Sequence, residues 1–155
     1  MAEGSTVDLI RLADGESGLE VRVLGRTMPG VLTLHDYLDA EIVVTSGFAQ
    51  GRLDVSLAQD DLDSGAQVLG ELAAVRGAVW MDDGRSPEIR FEPSGQDGVA
   101  VFVVRDPAAS GTCVRVPVRL AGGWVDEHHE RLHGVRAAWL QEVVETSPGA
   151  YEWLG

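Results

Sequence analysis

Glu88-Ile89-Arg90-Phe91-Glu92-Pro93-Ser94-Gly95-Gln96-Asp97-Gly98-Val99-Ala100-Val101-Phe102-Val103-Val104-Arg105 reads as two strands folded back on each other. In its first third Ile89 and Phe91 alternate with Glu88, Arg90 and Glu92, the period of a strand with one buried and one wet face. Five polar or glycine residues follow, 94–98, short enough to close a hairpin and rich in the residue types that turns use. Residues 99–104 are apolar on both faces, which places that strand in a sheet interior. Two neighbouring strands joined by a tight turn must be antiparallel, and that constraint sets the fold class.

Outward from this hairpin the same period recurs. Leu19, Val21 and Val23 alternate with Glu20 and Arg22, and Leu53, Val55 and Leu57 with Arg52, Asp54 and Ser56. Val114, Val116, Val118 and Leu120 alternate with Arg115, Pro117 and Arg119, and the proline assigns that strand to a sheet edge. Turns are expected at 14–18 and 106–111, and weaker strands at 7–12, 41–45 and 78–81. Two segments have a helical period. Leu62, Ala66, Leu69, Leu72 and Ala73 form a stripe behind Asp60 and Asp61, weakened by Gly65 and Gly70; Val125, Leu132, Val135, Trp139 and Val143 share a face over about five turns. The order of four strands, a helix, four strands and a helix predicts an α+β fold: a mostly antiparallel sheet of about seven or eight strands with two main helices packed on one face. Residues 1–155 are expected to form a single domain, with 146–155 as a C-terminal tail.

The charge balance excludes several functions. Twenty-five acidic and 12 basic residues give a net charge of −13, which repels phosphate backbones and anionic membranes, so neither nucleic acid nor membrane is an expected partner. All basic residues are arginines, which removes phosphate-loop, Schiff-base and lysine-base chemistry. The longest apolar run, 99–104, is far short of the ~20 residues that span a bilayer, and the N-terminus lacks a signal pattern. A lone Cys113 agrees with a reducing compartment, so the expected location is cytoplasmic. No cofactor motif is present, since both G-x-G-x-x-G and G-x-S-x-G are absent.

One literal chemical motif stands out. His129-Glu130-Arg131-Leu132-His133 is an H-E-x-x-H on the second predicted helix, where histidines at i and i+4 suit one zinc ion and the glutamate suits a general base. Glu152 is the downstream candidate for a third ligand. Against this, Arg131 brings a cation between the ligands, and both histidines fall on the rim of the apolar stripe, where half-buried histidines are ordinary. The expectation is therefore rim histidines without metal, with a zinc hydrolase as the alternative.

Several stretches together carry a family resemblance: 21–26 (VRVLGR), 37–44 (YLDAEIVV), 80–93 (WMDDGRSPEIRFEP) and 147–153 (SPGAYEW). Over nearly its whole length the chain resembles an actinobacterial family of unknown function. Its layout is also distantly similar to the WapI-type immunity proteins, through the order of elements and Phe91-Glu92-Pro93. Gly65 departs from the closer family, where an aromatic residue is common, and the comparison implies a more loosely packed helix. The resemblance implies no catalytic residues. It implies a non-enzymatic acidic binding protein, an immunity protein that neutralises a basic nuclease-type toxin by presenting carboxylates to its cleft. The candidate partner-binding residues are Asp36, Asp39, Asp60, Asp61, Asp63, Asp82 and Asp83. A self-associating structural subunit is a further alternative, and the sequence leaves the oligomeric state open.

Overall fold

The computed structural model describes residues 5–84 and 87–155. Arg85 and Ser86, within the 80–93 stretch quoted above, lie outside the described residues, as do residues 1–4 with the expectation about a signal pattern. A first meander, β1 (Val7–Ala13), β2 (Gly18–Arg26), β3 (Leu38–Thr45) and β4 (Gln50–Leu57), leads into α1 (Gln59–Ala73). A second, β5 (Ala78–Trp80), β6 (Glu88–Pro93), β7 (Val99–Arg105) and β8 (Cys113–Arg119), leads into α2 (Trp124–Ala138). A hairpin of β9 (Val143–Ser147) and β10 (Ala150–Trp153) ends the chain.

The α+β class and the antiparallel pairing hold, but the strands are divided. They form two four-stranded sheets, ordered β1-β2-β3-β4 and β5-β6-β7-β8, and a separate β9-β10 ribbon, in place of one sheet of seven or eight strands. Period-2 patterning specifies which face of a strand is apolar but not which strands share a sheet, so the division is invisible to it. The 88–105 hairpin forms as expected, its register running from Glu88↔Arg105 to Pro93↔Ala100, and β7 lies inside its sheet. Pro117 lies on β8, the edge strand.

The helices also sit differently from expectation. α2 packs along β1, while α1 packs against β5 and β6, and the helices touch each other. They therefore do not share one sheet face. Their buried sides and the inner faces of both sheets form one apolar cluster, with Trp80, Phe91, Phe102, Ile10, Leu19 and Leu62 among its largest wholly buried side chains.

α2 is shorter than its sequence stripe suggests. It stops at Ala138, and Val143 is the buried first residue of β9, not a fifth helical turn. Val143 is buried outside the cluster that α2 covers, at the clasp where its N–H donates to Asp36, so its apolar spacing does not mark the same core. Residues 146–155, the expected C-terminal tail, complete β9 and form β10. Gly65 needs its own correction. It is buried in α1 against the Trp80 indole, where a Cβ would lie 3.2 Å from Trp80 Cε2. The large ring that fills this space comes from β5, so the helix packs closely because residue 65 has no side chain.

Candidate functional site

The first turn of α1 gathers acidic groups that are far apart in the chain. Ala58 precedes the helix, and the Asp61 carboxylate accepts the Ala58 N–H at 2.8 Å, satisfying one of the donors a helix start leaves over. The Asp61 main-chain oxygen accepts the Trp80 Nε1–H at 2.9 Å, which ties β5 to the helix. Burial raises the Asp61 pKa, opposed by the Ala58 hydrogen bond, and the nearby charges of Asp83 and Asp60 raise it further. Asp60, Asp61 and Asp83 therefore share one electrostatic neighbourhood, although about twenty residues separate the two segments.

On the other side of the same turn lies a crevice of about 190 Å3, walled by the β2–β3 loop, the start of α1 and the C-terminal hairpin. Asp36, Asp60 and Glu145 line it together with Tyr37 and Tyr151. Asp36 is already engaged: its carboxylate accepts the Glu142 and Val143 N–H groups at 3.0 and 2.8 Å and an Arg26 N–H at 2.9 Å. It clasps the hairpin to the loop and so builds the crevice wall. Arg26 extends the clasp by donating to the Leu140 carbonyl, and the His35 ring meets Trp153 edge-on at 4.8 Å. Asp60 and Glu145 remain as the crevice carboxylates, with Glu145 also accepting the Gly149 N–H. Exposed carboxylates beside half-exposed tyrosine rings suit a guanidinium, which pairs with the acid and stacks on the ring.

The other sequence candidates are dispersed. Asp63 forms an ion pair with Arg136 of α2, Asp39 accepts the Thr27 hydroxyl proton at 2.9 Å, and Asp82 is exposed after β5. Tyr37, Glu145 and Tyr151 were not among the partner-binding residues expected from the sequence. No local signal could have found them, because the crevice joins segments more than 80 residues apart.

The H-E-x-x-H residues point elsewhere. His129, Glu130 and His133 are exposed on α2 and Glu152 is exposed on β10. Among the described residues, no group of three or more His, Cys, Asp or Glu side chains is placed to hold a metal ion. The buried histidine of α2 is its neighbour His128, 3% exposed, whose Nδ1 lies 2.6 Å from the Trp124 carbonyl and whose Nε2 accepts the Arg11 N–H at 3.1 Å. These contacts define a neutral ring protonated on Nδ1. The cavity beside it, between α1, α2 and β1, measures about 20 Å3, room for about one water molecule.

The fold and this crevice together define an α+β protein of two antiparallel meanders, each closed by a helix, with an acid- and tyrosine-lined groove beside the first. The chain belongs to DUF5959, a family of unknown function, which matches residues 7–140. The hairpin that supplies Glu145 and Tyr151 lies beyond the matched segment. Neither the curated proteins nor the solved structures provide a match. Among the described residues, no helix is long and apolar enough to cross a membrane.

Proposed function

We propose that this chain is a non-enzymatic acidic binding protein that captures a basic protein, and that its partner is a nuclease-type toxin against which it serves as a cytoplasmic immunity protein. The observation that carries the reading is the crevice at the start of α1, where Asp60 and Glu145 stand beside Tyr37 and Tyr151. The net charge of −13 supports it by steering a cationic surface from a distance. So does the use of arginine: among the described residues nine arginines are held in ion pairs with this chain's own carboxylates, leaving the acidic surplus to face outward. Neutralising a nuclease cleft in this way requires no catalytic group. The resemblance of the element order to WapI-type immunity proteins points the same way.

The test begins with whether a nuclease-type toxin domain is encoded beside this gene, and uses that domain as the partner; a neighbourhood without one counts against the reading. Coexpression is expected to protect the host, and the purified pair to associate at a rate that falls steeply between low and physiological salt. The Asp60→Asn/Glu145→Gln variant is expected to associate about tenfold more slowly. An association rate indifferent to both salt and these substitutions rejects the reading.

A further inference from the structure

The two sheets have four outer edges, and three are protected against added strands. On β1 the outward Arg11 N–H donates to His128 Nε2, and Arg131 donates to the Asp8 carbonyl at 3.3 Å. On β8 the Arg119 N–H donates to the Asp14 carboxylate at 2.9 Å, and Pro117 has no N–H to offer. β5 is three residues long. β4 is different: it has eight residues and ends the first sheet.

The phase of the β3–β4 ladder identifies its free groups. The Ser46 N–H donates to the Ala49 carbonyl at 2.8 Å, and the register runs from Leu38↔Leu57 to Thr45↔Gln50. Alternation then directs the main chain of Gly51, Leu53, Val55 and Leu57 to β3, and that of Gln50, Arg52, Asp54 and Ser56 away from the sheet. Among the described residues, no hydrogen bond to these four outward main-chain positions comes from another element.

We propose that β4 pairs antiparallel with β4 of a second copy of this chain about a twofold axis at Leu53, joining two four-stranded sheets into one of eight. This register sets Arg52 opposite the partner's Asp54 and Asp54 opposite the partner's Arg52, with Gln50 opposite the partner's Ser56. Each outward N–H and C=O finds a complement. Moving the axis by one residue sets Arg52 against Arg52 or Asp54 against Asp54, so charge selects among the registers.

Two further observations support a second copy as the occupant. Asp54 lies directly opposite Glu41 in the β3–β4 register, and among the described residues its carboxylate has no cation; Arg52, whose nearest acid is Glu41 at 3.7 Å, is 70% exposed. The partner supplies what Asp54 lacks. At the β3–β4 tip Phe48 is wholly exposed, and in the paired register position 48 falls opposite Ala58 of the partner, just before its α1. This interface does not depend on the acidic crevice.

Sedimentation equilibrium over a concentration series, with circular dichroism as the control for folding, tests the proposal. The wild-type chain is expected to reach twice its monomer mass. Asp54→Arg is expected to weaken self-association about tenfold or more by opposing Arg52 of the partner, while its fold is retained because the new cation faces Glu41. The charge-exchanged double variant Arg52→Asp/Asp54→Arg restores complementarity and is expected to recover dimerisation. A wild-type chain that stays monomeric throughout, or an Asp54→Arg variant that dimerises as well as wild type, overturns the proposal. So does a folded double variant that remains monomeric.

Discussion

At the scale of single residues, burial confines His128 to its neutral form and the end of α1 holds Val75 in a conformation its side chain does not favour. Burial holds the His128 pKa below its ordinary value; the Trp124 carbonyl opposes that shift, and Arg131 on the same helix adds to it. The folded chain thus binds fewer protons here than the unfolded chain. Its stability is full above the unfolded value of about 6.5 and is lost as pH falls through that value toward the depressed one. Protonation would also turn the Nε2 acceptor into a donor facing the Arg11 N–H. The melting temperature is expected to fall between pH 7.5 and 5, more steeply than in His128→Gln, which accepts a hydrogen bond without titrating; parallel profiles would reject this role. Val75 has φ +60° at the end of α1, with its N–H donating to the Leu72 carbonyl and the Arg76 N–H to that of Glu71. These two bonds are a Schellman ending with a β-branched residue where glycine is favoured. Val75→Gly is expected to stabilise the fold by up to about 1 kcal/mol in urea unfolding, the relieved strain exceeding the added chain entropy.

At the scale of elements, α1 shows why one residue type carries opposite meanings five residues apart. Gly65 and Gly70 both read from the sequence as weaknesses, because glycine lowers helix propensity. Gly70 is one: it is exposed with open space around it, and Gly70→Ala is expected to stabilise by about 1 kcal/mol in chemical denaturation. Gly65 is instead a contact surface for an indole that is 0% exposed and tethered to the Asp61 carbonyl. Gly65→Leu is expected to destabilise by about 2–3 kcal/mol and to shift the Trp80 fluorescence as the ring is displaced. An unchanged emission spectrum would show that the ring is not held there. The strands were more legible than the helices. Leu19, Val21 and Val23 are wholly buried while Glu20 and Arg22 are not, because a strand's period of two needs no neighbour to define its faces. In α2 the buried positions His128 and Val135 include a polar residue that no apolar stripe predicts.

At the scale of the whole molecule, the clasp between the β2–β3 loop and the C-terminal hairpin holds the crevice together. Asp36→Ala removes the acceptor for two main-chain N–H groups and one Arg26 donor, in a pair whose side chains are each 12% exposed. It is expected to cost about 3 kcal/mol and to speed proteolysis within 140–155, whereas a hairpin as resistant as in the wild type would show that other contacts suffice. The sequence by itself determined the strand faces, the tight hairpins, the interior place of β7, the edge place of β8 and the acidic surplus. All of these rest on local chemistry: side-chain period, turn residues, a missing N–H and a charge sum. Tertiary structure alone decided the division into separate sheets, the burial of His128 in place of His129 and His133, and the docking of the hairpin. It also brought Asp60, Glu145 and the two tyrosines to one crevice and left β4 as the long uncovered edge. The physical reason is that these outcomes depend on which distant surfaces exclude water from each other, and a local pattern specifies an apolar face without specifying its partner.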